Sequence, residues 1–173
     1  MGETQDLNLP MGFRFNPTEL ELYDYLIPKL KGDPLPSNLI VNLDVYKYDP
    51  HQLPFDQLKY AREKEGFFFT KRNSDQSSTT RATPSGNWTI SKENIPIHRG
   101  IEVIGFKNKF LFSSGNDPID GDQRAYWKLV EYTCNPDVVS TTNKQMENLV
   151  ICKVRHKVRV EEDQVEEDEI ELS

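Results

Sequence analysis

Two cysteines in 173 residues, Cys134 and Cys152, are too few for a disulfide framework. They read as reduced thiols, with Cys152 in the core, and they predict a reducing compartment, cytosol or nucleus. No apolar run approaches the roughly 18–20 residues of a bilayer-crossing helix. With 36% hydrophobic and 28% charged residues, a soluble chain with no membrane partner is expected. A charged start followed by an apolar stretch is missing at the N-terminus, which argues against secretion. The three histidines, His51, His98 and His156, stand far apart, with neither thiolate at ligand spacing, so no metal is expected. There is no Gly-x-Ser-x-Gly elbow, no locally supported cysteine–histidine arrangement and no phosphate-cradling glycine loop. The chain therefore reads as a non-enzyme, without cofactor or small-molecule substrate.

Positive charge is also scarce. The net charge is −7, but residues 161–173 hold eight acids and no base. The remainder carries 21 basic and 20 acidic residues, leaving it at +1. Residues 1–50 have four bases against eight acids, and residues 51–128 have twelve against nine. Charge is thus segregated into a mildly basic middle and an acidic end. A nucleic-acid surface needs local positive potential rather than a high overall pI, so the middle is where to look.

The length predicts one domain with a single substantial core. Residues 1–8 read as a flexible leader and 161–173 as an acidic, disordered tail. Between them, Pro17-Thr18-Glu19-Leu20-Glu21 opens a helix, with Thr18 as N-cap and Glu21 at capping-box spacing. Leu22, Tyr23 and Leu26 share a face, and Pro28 is expected to stop the helix. Residues 39–48 predict a second short helix or turn. From Gly66 onward the pattern is strand-like: Phe67–Thr70, Asn87–Ile90, Val103–Phe112, Ala125–Thr133 and Leu149–Arg159, with a polar loop at Asn73–Thr80. In the third of these strands the alternation puts Ile104, Phe106, Phe110 and Phe112 on one side and Lys107 and Lys109 on the other. In the last strand Val150, Cys152, Val154 and Val158 oppose Lys153, Arg155, Lys157 and Arg159. That basic face is either a solvated strand surface or a stripe suited to a phosphate backbone. Trp88 and Trp127 read as core. The expected fold class is α+β, a twisted antiparallel sheet with a few flanking helices.

Seven segments, in order, carry a family resemblance. Leu9–Leu22 (LPMGFRFNPTELEL) resembles L-P-P-G-F-R-F-x-P-T-D-E-E-L, and the stretch through Tyr46-Lys47 to Leu53-Pro54 resembles D-L-Y-K-x-x-P-W-x-L-P. Glu65–Phe69 is similar to E-W-Y-F-F and Ser85–Trp88 to S-G-Y-W. Gly105–Gly115 resembles G-x-K-K-x-L-V-F-Y-x-G, Trp127 with Glu131-Tyr132 resembles W-x-M-H-E-Y, and Leu149–Val154 resembles W-V-L-C-R-I. This is the pattern of the plant NAC domain, and it implies a NAC-like DNA-binding and dimerisation domain over residues 9–160.

The resemblance implies a nuclear dimer, either a homodimer or a heterodimer with a related NAC protein, bound to double-stranded DNA and regulating transcription. It places the dimer interface at Leu9, Pro10, Phe13, Arg14 and Glu21, with Arg14 facing the partner's Glu21. The capping box is a competing role for that carboxylate. It places the DNA face at Arg72, Arg81, Thr89, Ser91, Lys92 and Lys107, with Lys153, Arg155 and Lys157 as further backbone candidates. Here the chain departs from the family pattern. The strand W-K-A-T-G-x-D-K reads Trp88-Thr89-Ile90-Ser91-Lys92-Glu93-Asn94-Ile95, and the second lysine of G-x-K-K is Asn108. Two readings follow: a sequence-specific DNA-binding dimer, or a dimerisation module with weakened DNA binding that regulates DNA-competent partners. The acidic tail reads as a solvated end, an activation segment, or a competitor of DNA for the basic strand.

Overall fold

The computed structural model describes residues 13–58, 60–62, 64–72, 79–114, 125–139 and 148–158. Thr18 caps α1 (Glu19–Lys31): its hydroxyl accepts from the Glu21 amide at 3.1 Å, and the Glu21 carboxylate accepts from the Thr18 amide at 2.7 Å. The helix does not stop at Pro28 but runs one more turn to a left-handed Gly32 cap, φ 78°. A proline deprives the carbonyl four residues back of its partner, and that residue, Asp24, is exposed, so solvent can supply the missing donor. Buried Leu26 and Leu30 hold the helix down on either side of the proline.

Residues 39–48 contain the expected short helical turn, but a strand precedes it. They give a two-residue strand β1 (Val41–Asn42) followed by a 3-10 turn at Val45–Lys47. Further strands are β2 (Glu65–Lys71), β3 (Thr80–Ala82), β4 (Gly86–Arg99), β5 (Glu102–Ser114), β6 (Ala125–Cys134) and β7 (Leu149–Val158). They make one seven-stranded sheet in the order β1-β2-β7-β6-β5-β4-β3, antiparallel throughout except for the β1–β2 pair. The architecture is α+β, a sheet with flanking helical elements. Thr80 opens β3, whereas residues 73–78 of the expected loop lie outside the described residues, as do the leader and tail.

The sheet is buried on both faces. On one, Leu22, Tyr23, Tyr25, Leu26 and Leu30 of α1 cover Phe67, Phe69, Ile104, Tyr132 and Ile151. On the other, Val45, Tyr46 and Leu53 cover Phe68, Trp88, Phe110, Leu129, Val150, Cys152 and Val154. At about 1.5–3 kcal/mol per fully buried large side chain, these two layers supply the main stabilisation. Lys107 and Lys109, opposite the apolar side chains of β5 in the sequence pattern, are both buried, and Lys107 meets Glu19 of α1. No described helix is long and apolar enough to cross a membrane.

Candidate nucleic-acid interface

β4 is far longer than its sequence advertises. The stretch Ser91–Pro96 lacks alternation, yet all of it belongs to the strand. β3 pairs only with Asn87, Trp88 and Thr89, so among the described residues the outer edge of β4 beyond Ile90 has no neighbouring strand. Pro96 is tolerated there because an edge strand does not need its N–H. Two register shifts follow closely: Ile90 pairs with Phe110, Lys92 with Lys109 and Ile95 with Lys107. Each inserts an extra residue into β4, bending the edge and re-aiming its side chains. Thr89, Ser91, Lys92, Glu93 and Asn94 are all exposed along it. The Thr89 hydroxyl donates to Asn87 Oδ1 at 2.9 Å, and the Ser91 hydroxyl donates to the Lys109 carbonyl at 3.2 Å.

Behind this edge lies a buried carboxylate. Glu131 is fully inaccessible and stands opposite Asn108 on β5 and Cys152 on β7. Tyr46 donates its hydroxyl to Oε2 at 2.6 Å, and Oε1 receives Arg81 at 3.3 Å and Asn108 Nδ2 at 3.4 Å, with Arg72 Nη1 at 3.9 Å. Burial, reinforced by Cys152 and Glu131, raises the Tyr46 phenol well above its ordinary value and keeps it a donor. The two arginines of the expected DNA face therefore differ. Arg81 is 4% exposed, and its guanidinium lies over the Phe110 ring, 5.1 Å from the centroid. Arg72 is about one-third exposed, and its buried Nε makes no hydrogen bond among the described residues.

Lys107 is likewise internal, with Nζ 2.6 Å from Glu19 Oε2, an oxygen that also accepts from the Tyr132 hydroxyl at 2.9 Å. On β7, Lys153 Nζ approaches the Phe67 ring at 5.9 Å, and Arg155 lies 3.7 Å from the buried Glu65 carboxylate. Lys157 is half-buried on the same face, and Arg159 lies outside the described residues. Thr89, Ser91 and Lys92 thus lie exposed along one edge, Arg72 and Arg81 converge on Glu131, and Lys107 stands apart, against Glu19 of α1.

Of the dimer candidates, Leu9 and Pro10 lie outside the described residues. Phe13 meets Tyr60 edge-on, with centroids 5.6 Å apart. Arg14 is exposed and donates to the Phe13 carbonyl at 3.1 Å. It shares with Glu21 a concavity of about 480 Å³ lined also by Asn16, Pro17 and Tyr25. Within the chain Glu21 serves the capping box.

The sequence reading missed Glu131 as a hub and Asn108 as its neighbour. A signal was available: Leu129, Val130 and Tyr132 surround Glu131 with apolar side chains, and a carboxylate inside such a run has to be satisfied by buried donors. Asp49 was missed too. It is 4% exposed and accepts from the Thr83 hydroxyl at 2.7 Å, the Ser85 amide at 3.0 Å and the Ser85 hydroxyl at 2.6 Å, fixing the β3–β4 turn.

Comparison with known proteins supplies the remaining finding. The family model for the No apical meristem (NAM) protein matches residues 10–134. NAC transcription factor 32 of Arabidopsis thaliana is 36% identical over 160 residues, covering 88% of this chain and 61% of the relative. NAC domain-containing protein 2 of Solanum lycopersicum is 31% identical over 169 residues, 93% of this chain and 60% of the relative. NAC domain containing protein 50 of Arabidopsis thaliana is 34% identical over 156 residues, 87% of this chain and 34% of the relative. The chain spans about six-tenths or less of these relatives. With most of its length matched by the family model, it belongs to the NAC (No apical meristem) family.

Proposed function

We propose that this chain is a nuclear DNA-binding regulator of transcription, not an enzyme, that reads duplex DNA as a dimer through the open edge of β4. The observation that carries the reading is the bulged edge of β4 from Ser91 to Asn94, without a neighbouring strand among the described residues, with Thr89, Ser91 and Lys92 exposed along it and Arg72 about one-third exposed. An edge of this kind fits the major groove, which admits a strand or ribbon, while a partly exposed guanidinium takes a phosphate. Family membership agrees with this reading, since a relative bears the name transcription factor. The dimer surface in this reading is Leu9, Pro10, Phe13, Arg14 and Glu21, and the domain spans 9–160.

A second reading has its own support. Arg81 and Lys107 are engaged by internal carboxylates, and Glu93 adds an acid to the edge. That arrangement favours a dimerisation module which binds DNA weakly and pairs with a DNA-competent relative. Fluorescence anisotropy on a labelled duplex at two salt concentrations separates the two. The first reading expects affinity that falls steeply with salt, by about 0.9 log units per log unit of salt for each phosphate held. Absence of measurable binding by folded protein at low salt would reject it in favour of the second.

A further inference from the structure

Asn94 has φ 53°, in the left-handed region, and lies between the register pairs Lys92–Lys109 and Ile95–Lys107. A bulge leaves a backbone amide without its ladder partner, and here a side chain takes that role. The Asn94 N–H donates to Asn108 Oδ1 at 2.8 Å. An amide N–H can only donate, so the oxygen of Asn108 must face it and Nδ2 must face the other way. The other way is Glu131 Oε1, 3.4 Å off, which can only accept. Both ends of the carboxamide are therefore matched to groups of fixed polarity, and Asn108 is 8% exposed. From Glu131 the network reaches Arg81 at 3.3 Å and Arg72 at 3.9 Å.

We propose that Asn108 and Glu131 form a positioning pair: the relay Asn94–Asn108–Glu131 fixes the bulge of β4 and sets it relative to Arg72, so that one buried carboxylate orients both base-facing edge and phosphate-facing arginine. The pair touches no DNA itself. The inference rests on the reading of β4 as the DNA-facing edge. It also changes the meaning of Asn108, which against the G-x-K-K pattern looks like a lost lysine. In place of a charge it supplies a joint, holding an edge whose own sequence does not set its register.

The test uses two variants, Asn108→Ala and Asn108→Leu. The second keeps the volume filled while removing both hydrogen bonds, in case the first fails to fold. The first readout is amide hydrogen exchange, which needs no DNA. The proposal expects exchange at Asn94 to rise about tenfold while the amides of Val130 and Ile151 stay unchanged. The second readout is selection from a randomised duplex pool. There the base preference within each half-site is expected to change, whereas Arg72→Gln weakens all sequences alike. Unchanged Asn94 exchange, or equal acceleration across the sheet, overturns the proposal. So does a local change in exchange with an unaltered base preference. If wild-type protein selects no duplex, the DNA reading fails by that result, and the proposed role falls with it whatever the exchange at Asn94.

Discussion

Lys107 and Glu19 meet at 2.6 Å beneath the first turn of α1, a contact that ties the helix to the middle of β5. The ammonium is 6% exposed and the carboxylate 20%, so neither is well served by water if the other is removed.

Lys107→Met should therefore lower stability by about 2–4 kcal/mol, since removing one partner strands the other in a poorly solvated place. Denaturant melts check this. The same variant should leave the salt slope of DNA binding unchanged. A slope reduced by about 0.9 would instead put Lys107 on a phosphate.

Arg72 and Arg81 share a carboxylate but predict opposite phenotypes. Arg72→Gln should lower the salt slope by about 0.9 with little change in melting temperature. Arg81→Gln should destabilise by about 2–4 kcal/mol, because it leaves the inaccessible Glu131 with one fewer cation. Paired thermal melts and salt titrations of the two variants are sufficient to compare them.

Asp49 supplies a pH dependence. Burial, the largest single influence, pushes its carboxyl up, but hydrogen bonds from Ser85 and Thr83 together outweigh that and hold it below the ordinary 3.8. A depressed folded-state value means the contribution is complete above 3.8 and disappears as pH falls through the lower folded value. Asp49→Asn should cost about 2–3 kcal/mol at neutral pH and narrow the gap from wild type in acid, as measured by urea melts across pH.

Gly105 reports on the docking of α1. A Cβ there would run into the Tyr23 hydroxyl and the Thr133 carbonyl, which are hydrogen-bonded to each other at 2.8 Å. Gly105→Ala should cost roughly 1–3 kcal/mol through overpacking, seen as a lowered denaturation midpoint with unchanged m-value.

The parts of the fold that were legible from sequence are set by local pattern: a cap spacing, a continuous apolar run or an alternation. The capping box of Thr18 and Glu21, the triple Phe67–Phe69 and the buried face of Val150, Cys152 and Val154 read correctly, whereas Val158, expected with them, is exposed. What escaped had a tertiary cause. Pro28 stays inside α1 because Leu26 and Leu30 anchor the turns around it. Lys107 and Lys109 stand opposite the apolar side of β5 in the sequence pattern, and only the tertiary packing shows that they too are buried. β4 hid because two bulges break its period, and a broken period reads as loop. For the candidate interface, residue identities were readable through the family resemblance, but which arginine is buried was not. That difference depends on Glu131, two strands away from β4 in the sheet and remote from both arginines in the chain.

The central claim, that this NAC-family chain reads duplex DNA as a dimer, is tested most directly by selection from a randomised duplex pool with purified protein. The account predicts enrichment of paired half-sites related by two-fold symmetry, held by a complex containing two chains. No enrichment from protein shown to be folded and dimeric would contradict it.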